Sequence, residues 1–228
     1  VILEDGVRAG DSPSRVKMGD RMIRGDGVPE NVSEGLNLWA QAALEDYPEA
    51  MIRLAGVFEK GDLLPRDPVR AMALWVRAAK AGSPEALLRV ADARFSGQGL
   101  APDPAEGLRL VIEAASKDDP EALRRLAWHL EKGAHIRRDL WRAIELYRRA
   151  ARGGHAAAQN DLAVILALRN NLNDRVEAWS WFMCATEQGV PEAKDNRKAL
   201  EKKMSSQERR EARRLYAQLV EEIKRPHP

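Results

Sequence analysis

The sequence predicts an all-α solenoid of about five 36-residue helix–loop–helix repeats, followed by a C-terminal pair of capping helices. The main observation is a 36-residue period, since four glycines recur at that spacing: Gly25, Gly61, Gly97 and Gly133. Alanine pairs and leucines fall into step with them, at Ala42/Ala43, Ala78/Ala79, Ala114/Ala115 and Ala150/Ala151 and at Leu38, Leu74, Leu110 and Leu146. The composition agrees, because aromatic residues make up only 5% of a chain rich in alanine and leucine, a mix that favours helices over strands.

The first helix of each repeat is clearest in residues 48–61. Pro48 suits the first helical turn, and Glu49 complements the positive end of the helix dipole. Apolar residues then recur at helical spacing, and Gly61 ends the helix where a positive φ is needed. The period predicts first helices near 13–24, 48–60, 84–96, 120–132 and 156–168.

The second helix of each repeat begins at a side chain that is able to cap it. Equivalent places after a short loop hold Asn31, Asp67, Asp103 and Asp139, and these residue types are preferred N-caps. The period predicts second helices near 33–45, 68–81, 104–116, 140–152 and 175–188. Their alanines let neighbouring helices approach, and a large apolar column fills the gaps, at Trp39, Trp75, Val111 and Tyr147. One unit cannot bury this face alone, so the repeats must stack.

The fifth repeat is degenerate, because Arg169 replaces the glycine and the pattern resumes one position early at Trp181. Pro191 opens a sixth first helix, and Ser205 with Glu208 forms a capping-box pattern for a last helix over about 205–225. We therefore predict a single repeat domain over 1–228. Its repeats lie near 12–47, 48–83, 84–119, 120–155 and 156–190, with capping helices over 191–225. Residues 1–10 resemble a remnant of an earlier unit.

Charge and composition argue against several classes of protein. The net charge is only +2, from 37 basic and 35 acidic residues, and a dedicated nucleic-acid binder usually shows a stronger basic bias. Apolar runs fall short of the roughly 18–20 residues that a membrane helix needs. Cys184 is the lone cysteine, which excludes an intrachain disulfide. The chain begins with Val1 rather than Met, so a removed signal peptide stays open.

The repeat motif matches a known pattern. A first-helix pattern A-x3-L-(A/G)-x2-(Y/F)-x2-G-x-G-(V/L) is followed by D-x3-A-x2-L-W-x2-A-A-x2-G, and segments 21–28, 54–61, 66–82 and 93–100 carry it. In these columns the chain resembles the Sel-one-like repeats, which are relatives of the tetratricopeptide repeats, over roughly residues 12–204. Leu63 and His135 depart from the pattern at the second glycine.

The resemblance implies a right-handed superhelix with the first helices on its concave side. Family members are often bacterial and exported, and they act as adaptors that hold partner proteins or peptides. Location in the periplasm or outside the cell after signal removal is therefore favoured, with a cytoplasmic location as the alternative. Some cysteine-rich relatives bind β-lactams through paired cysteines, which this chain lacks, so that activity is not carried over.

The analogy with tetratricopeptide repeats places non-core residues of the first helices in a binding groove. One such column is cationic and the next is mixed, and together they form the candidate partner site: Lys17, Arg53, Arg89 and Arg125, with Asp20, Asp92 and Trp128. A cationic stripe fits the carboxylates of an acidic peptide or an anionic polysaccharide, and an off-core Trp fits an anchor. The competing interpretation is that Glu49–Arg53, Glu85–Arg89 and Glu121–Arg125 are ordinary i,i+4 pairs on solvated helix faces.

Signals for catalysis are weak, and we predict no catalytic residue, no cofactor and no metal. Ser14 and Lys17 match S-x-x-K without its companion motifs, and Ser14 falls in a column of small core residues. The histidines (His129, His135, His155 and His227) form no spaced ligand set, and His135 and His155 fit helix-end roles. Cys184 falls in a column that is polar in other repeats, which predicts partial exposure.

The function predicted from the sequence is a non-enzymatic adaptor or scaffold that binds a partner protein or peptide in its concave groove. Two alternatives stay open. A helical-repeat RNA reader is disfavoured by the low charge, and a cell-wall or β-lactam-interacting protein lacks an activated nucleophile.

Overall fold

The computed structural model describes residues 2–169 and 171–224, and in these ranges the chain is entirely helical, without strands. The helices are α1 (Ile2–Arg8), α2 (Ser12–Arg24), α3 (Val32–Leu44), α4 (Pro48–Lys60), α5 (Pro68–Lys80), α6 (Pro84–Ser96), α7 (Pro104–Ala115), α8 (Pro120–Lys132), α9 (Leu140–Arg152), α10 (Ala156–Arg169), α11 (Leu172–Glu187), α12 (Pro191–Glu201) and α13 (Ser206–Lys224). Within each of its compact parts, most helices pack on their neighbours in sequence, and α13 packs on α11, which confirms the predicted all-α solenoid.

The chain divides into two compact units between Ala114 and Ala115. Unit 1 contains α1 to α6 and nearly all of α7, and unit 2 contains α8 to α13. The single repeat domain over 1–228 remains a prediction.

The core of unit 1 is built from the small and aromatic columns of the repeat. Ala42, Ala50 and Ala78 are fully buried, and Trp39 and Trp75 are almost so. Small residues permit the close approach: a Cβ added at Gly19 would lie 2.7 Å from the Trp39 ring and 2.8 Å from the carbonyl oxygen of Gly35. The helices α2 and α3 therefore meet backbone to backbone.

The predicted helix starts and stops are confirmed by the local hydrogen bonds. The four predicted caps of the second helices accept from the backbone N–H three residues on, at 2.9–3.0 Å: Asn31, Asp67, Asp103 and Asp139. The four glycines that end first helices have left-handed φ values of 66° to 75°: Gly25, Gly61, Gly97 and Gly133. These two signals set the helix bounds to within about two residues in the first four repeats.

The fifth repeat in unit 2 departs from its predicted bounds. Helix α11 begins at Leu172 rather than near 175, because the Asn171 side chain accepts from the backbone N–H of Asp174 and starts the helix early. The predicted capping box is present: Ser205 Oγ accepts from the N–H of Glu208 at 3.2 Å, and Glu208 accepts from that of Ser205 at 2.7 Å. Helix α13 then reaches Lys224, and the predicted end at 225 lies outside the described residues, as does His227.

The prediction of partial exposure for Cys184 is wrong. Its side chain is buried, with 4% exposure, although the equivalent residues of unit 1, Gln41 and Arg77, keep contact with solvent. The reason is that α13 packs on α11 and covers the column that stays open in other repeats. Burial raises the pKa of the Cys184 thiol to about 12.

Candidate functional site

Five of the predicted site residues lie on the first helices of unit 1. We call this surface the first-helix face: Lys17 and Asp20 on α2, Arg53 on α4, and Arg89 and Asp92 on α6. Lys17 and Arg89 are exposed, and the other three are half-buried. The structure thus brings these residues together on successive first helices, but it pairs the arginines internally.

Arg53 connects two repeats. Its Nη2 lies 2.9 Å from Asp20 on the preceding first helix and 2.7 Å from Glu49 on its own helix. Its guanidinium carbon lies 5.9 Å from the ring centre of Trp39, within the range of a cation–π contact. The i,i+4 pair with Glu49 is therefore confirmed, and it is one of three contacts that hold this cation.

Arg89 repeats the arrangement one unit later with a different acid. Its Nη2 lies 2.6 Å from Glu59 on α4, and its guanidinium carbon lies 6.0 Å from the ring centre of Trp75. Trp75 donates its indole N–H to the same carboxylate at 3.1 Å. Within the described residues Arg89 therefore pairs with Glu59 of the preceding repeat instead of the predicted Glu85.

These contacts change the electrostatics of the first-helix face. Burial raises the pKa of Asp20, and the nearby Arg53 opposes that shift only in part. Arg53 and Arg89 each form an ion pair with at least one nearby carboxylate. The first-helix face therefore presents fixed charges of both signs, and it does not form a continuous cationic stripe.

Arg89 and Asp92 line a depression of about 390 Å³ on the first-helix face. Its other polar walls come from Glu59, Arg66 and Gln98, and Met72 supplies an apolar wall. The depression lies where the loop after α6 meets the start of α5.

In unit 2 the predicted Arg125 belongs to a charged network centred on Glu121. Arg125 donates to Glu121 at 2.6 Å, which confirms the i,i+4 pair. Glu121 also accepts from Arg124 at 2.8 Å and from His155 Nε2 at 3.0 Å. Burial acts to raise the pKa of Glu121, but these three donors outweigh it and hold the pKa well below its usual value.

Trp128 is the largest exposed apolar side chain of α8, with 44% of its surface open. Its ring meets the His129 ring edge-on, with centroids 5.1 Å apart. His129 is buried, its Nδ1 lies 2.9 Å from the carbonyl oxygen of Ala134, and burial lowers its pKa. The expected off-core position of Trp128 is confirmed, and its role as an anchor stays a prediction.

The residues considered for catalysis have structural partners. Ser14 hydrogen-bonds to the Asp11 carboxylate, the cap of α2. His155 caps α10, because its Nδ1 accepts from the N–H of Ala158 at 3.2 Å. The described residues hold no group of three or more His, Cys, Asp or Glu side chains placed to bind a metal ion.

Sequence reasoning missed Glu59 and Trp75 as partners of Arg89. Trp75 was visible in the large apolar column, but the contact joins residues from three helices, and periodicity gives no distance between side chains of different helices. The sequence did offer a signal, because Glu59 and Glu131 occupy equivalent repeat positions, as do Trp75 and Tyr147. The structure shows the same contact in both places: Trp75 donates to Glu59 at 3.1 Å, and Tyr147 donates to Glu131 at 3.0 Å.

Comparison with protein families agrees with this architecture of helix pairs. The Sel1 repeat model matches residues 12–47, 48–83, 84–119 and 120–155, the same intervals as the first four predicted repeats. The matches cover more than half of the chain, and the protein belongs to the Sel1 repeat family. Proteins of this family generally mediate protein–protein interactions.

Solved structures share the fold at low identity. A Sel1 repeat protein from Oxalobacter formigenes superposes with a TM-score of 0.75 at 22% identity, over 93% of this chain and 89% of that one. A protective antigen of uropathogenic Escherichia coli with an SLR fold superposes with a TM-score of 0.61 at 21% identity. The match covers 97% of this chain but only 56% of the antigen. An immunity protein of Pseudomonas aeruginosa gives 0.56 at 18% identity, over 95% and 84% of the two chains.

A search of curated proteins gave no match. Among the described helices, none combines the length and the apolar character that crossing a bilayer requires.

Proposed function

We propose that this protein is a non-enzymatic scaffold that binds a partner protein or peptide on its first helices. The contact residues are Lys17, Asp20, Arg53, Arg89 and Asp92 in unit 1, with Arg125 and Trp128 in unit 2. The observation that carries the proposal is the geometry around Arg89: a cation fixed by Glu59 and Trp75 stands at the edge of an open depression.

Pre-ordered side chains favour a binding role. Arg53 and Arg89 are each held by a carboxylate of the preceding repeat and an indole ring, so little rotamer entropy is lost when a partner binds. Arg89 still exposes 49% of its side chain, so its remaining donors can reach a partner carboxylate or carbonyl. The mixed charge of the face favours a folded protein or a peptide with residues of both signs over a purely acidic chain.

The test is affinity capture from the native host with mass spectrometry, using the wild type and the double variant Arg89→Gln/Asp92→Asn. A matched control is Arg109→Gln, which removes an exposed, ion-paired arginine from the second helix α7. We expect at least one protein to be recovered in equal amounts by the wild type and the control. The amount recovered by the double variant should be at least about tenfold lower.

Partners recovered equally by all three proteins would contradict the assignment of the face. Trp128→Ala gives a second measurement in unit 2. Because 44% of Trp128 is open to solvent and the rest packs against its neighbours, the variant should lose about 1–3 kcal/mol of stability but stay folded at the assay temperature. Loss of the partner by a folded variant supports the anchor role.

The proposed location is the periplasm or the exterior of a bacterial cell. The structural neighbours support this location, since they include a protective antigen and an immunity protein, both of bacterial origin. Fractionation of the native host with an antibody against this chain tests it, and recovery only with cytoplasmic markers would contradict it.

A further inference from the structure

Unit 2 carries a second exposed surface, where α8 ends and α9 begins. Trp141, the second residue of α9, is 71% exposed, which is unusual for the largest apolar side chain. A depression of about 550 Å³ lies beside it, lined in part by Leu130 and Leu140. We call the outer part of this site the edge surface: Ile136, Arg137, Arg138, Trp141 and Arg142.

The indole of Trp141 is held in place. The guanidinium carbon of Arg169 lies 4.7 Å from its ring centre, the shortest such cation–π distance among the described residues. Arg169 is in turn fixed by an ion pair of 2.9 Å with Asp174, whose side chain is only 13% exposed. One face of the ring is covered by this cation, and most of the remaining surface stays open to solvent. The result is a rigid aromatic platform.

The repeat itself shows that folding does not require this platform. Positions equivalent to Trp141 hold smaller residues: Ser33, Val69 and Ala105. The position of Arg169 is glycine in the four preceding repeats, and that of Leu168 is Arg24, Lys60, Ser96 and Lys132. Leu168 is 79% exposed. Larger apolar side chains thus replace smaller or polar ones at these two positions, where they gain little burial within the chain.

The charges around Trp141 define what the surface can attract. Among the described residues, the side chains of Arg137 and Arg142 take part in no ion pair. Arg138 donates through Nε to the Glu131 carbonyl oxygen at 3.0 Å, which leaves its positive charge unneutralised. The one carboxylate in the lining, Asp139, is engaged as the cap of α9. An apolar platform is therefore surrounded by cations.

We propose that the edge surface binds an acidic protein segment in which an apolar side chain is flanked by Asp or Glu. The apolar side chain packs on Trp141 and enters the depression, where the half-buried Ile136 provides an apolar contact. The flanking carboxylates pair with Arg137 and Arg142, which can each form two parallel hydrogen bonds to a carboxylate. An aromatic residue beside arginines is the composition typical of binding hot spots. This site is independent of the first-helix face.

The proposal is tested with a displayed library of random peptides, each about a dozen residues long. Peptides are selected for binding to the 228-residue chain, and those that also bind the Trp141→Ala variant are removed. We expect the enriched peptides to share a Leu, Phe, Ile or Trp flanked by Asp or Glu. Fluorescence anisotropy of one enriched, labelled peptide should then give a dissociation constant at least about tenfold weaker for Trp141→Ala and for Arg137→Gln/Arg142→Gln.

Matched controls come from the same repeat positions in unit 1. Val69→Ala and Arg70→Gln change the residues equivalent to Trp141 and Arg142, and both should leave peptide affinity unchanged. Far-ultraviolet circular dichroism checks that each variant is folded. Selection that enriches no peptide, or enriches basic or purely polar ones, overturns the proposal. So does a single-stranded RNA that binds the wild type and competes with the selected peptide, since the surface would then recognise nucleic acid.

Discussion

Arg53 on α4 and Asp20 on α2 form an ion pair of 2.9 Å between two successive repeats. The pair is asymmetric. Arg53 has a second carboxylate, Glu49, at 2.7 Å, whereas Arg53 is the cation with the strongest effect on half-buried Asp20. The two residues should therefore respond differently to substitution, although they share one contact.

Arg53→Ala should lower the free energy of unfolding by about 1–2 kcal/mol, because it leaves the Asp20 carboxylate half-buried without its main counter-charge. Asp20→Asn should change it by less than about 0.5 kcal/mol at pH 7, because Arg53 keeps Glu49 and the buried charge is removed. Urea unfolding followed by circular dichroism measures both. An exposed-pair control, Arg109→Ala, should also cost less than about 0.5 kcal/mol. Equal losses for Asp20→Asn and Arg53→Ala would contradict the asymmetry.

Gly56 inside α4 and Gly61 directly after it should respond to substitution by alanine with opposite changes in stability. Gly61 has φ +75°, and an added Cβ would lie 2.9 Å from the Cβ of Arg66, so Gly61→Ala should cost about 1–2 kcal/mol. Gly56 lies inside the helix, and an added Cβ would meet nothing within 4 Å, so Gly56→Ala should gain about 0.5–1 kcal/mol. Thermal unfolding of the two variants side by side gives the comparison. A destabilised Gly56→Ala protein would mean that this helix position is not open space.

Much of the fold could be predicted because each repeat contains local sequence signals for where its helices begin and end. Caps such as Asp67 act within three residues, and stops such as Gly61 act through their own φ, so neither requires knowledge of distant contacts. The period then supplies the packing order. The fifth repeat was less predictable, because Asn171 offered an earlier cap than the shifted register suggested.

The candidate site could be predicted only in part. Periodicity placed Arg53 and Arg89 on one surface, but it could not show that each is neutralised by an acid of the preceding repeat. Such pairs depend on side-chain reach between helices. The edge surface around Trp141 was missed for a related reason: the periodic columns drew attention to repetition, whereas Trp141 stands out by departing from it.

Cys184 is buried by the terminal helix α13, although equivalent residues of other repeats keep contact with solvent. This burial predicts the reactivity of its thiol. Because its pKa is raised to about 12 and α13 covers it, the native protein should react with a maleimide or an aromatic disulfide reagent far more slowly than the unfolded chain at pH 8. The rate in increasing urea should follow unfolding. As a control, Arg149→Cys in a Cys184→Ala background places a thiol in the same column at an exposed position, and it should label rapidly. Rapid labelling of native Cys184 would show that α13 does not stay packed on α11.

The network around Glu121 should make unit 2 sensitive to acid. The folded-state pKa of Glu121 lies below its ordinary value of 4.5, so the network stabilises fully above that pH, and the contribution is lost as the pH falls through the folded-state pKa. We expect the free energy of unfolding of the wild type to fall between pH 7 and pH 3 by about 1–2 kcal/mol more than that of Glu121→Gln, a range that allows for the one-third exposure of this carboxylate.

The measurement is urea unfolding at several pH values for the two proteins. At pH 7 Glu121→Gln should be the less stable, because Gln has no negative charge and only one acceptor oxygen. Its NH2 group must therefore face either the Arg125 donor or the donors of Arg124 and His155. The two curves should therefore converge at low pH, where Glu121 becomes protonated and resembles the amide. Parallel curves would show that the acid sensitivity arises elsewhere, and that the three donors hold Glu121 in place without a preference for its charged form.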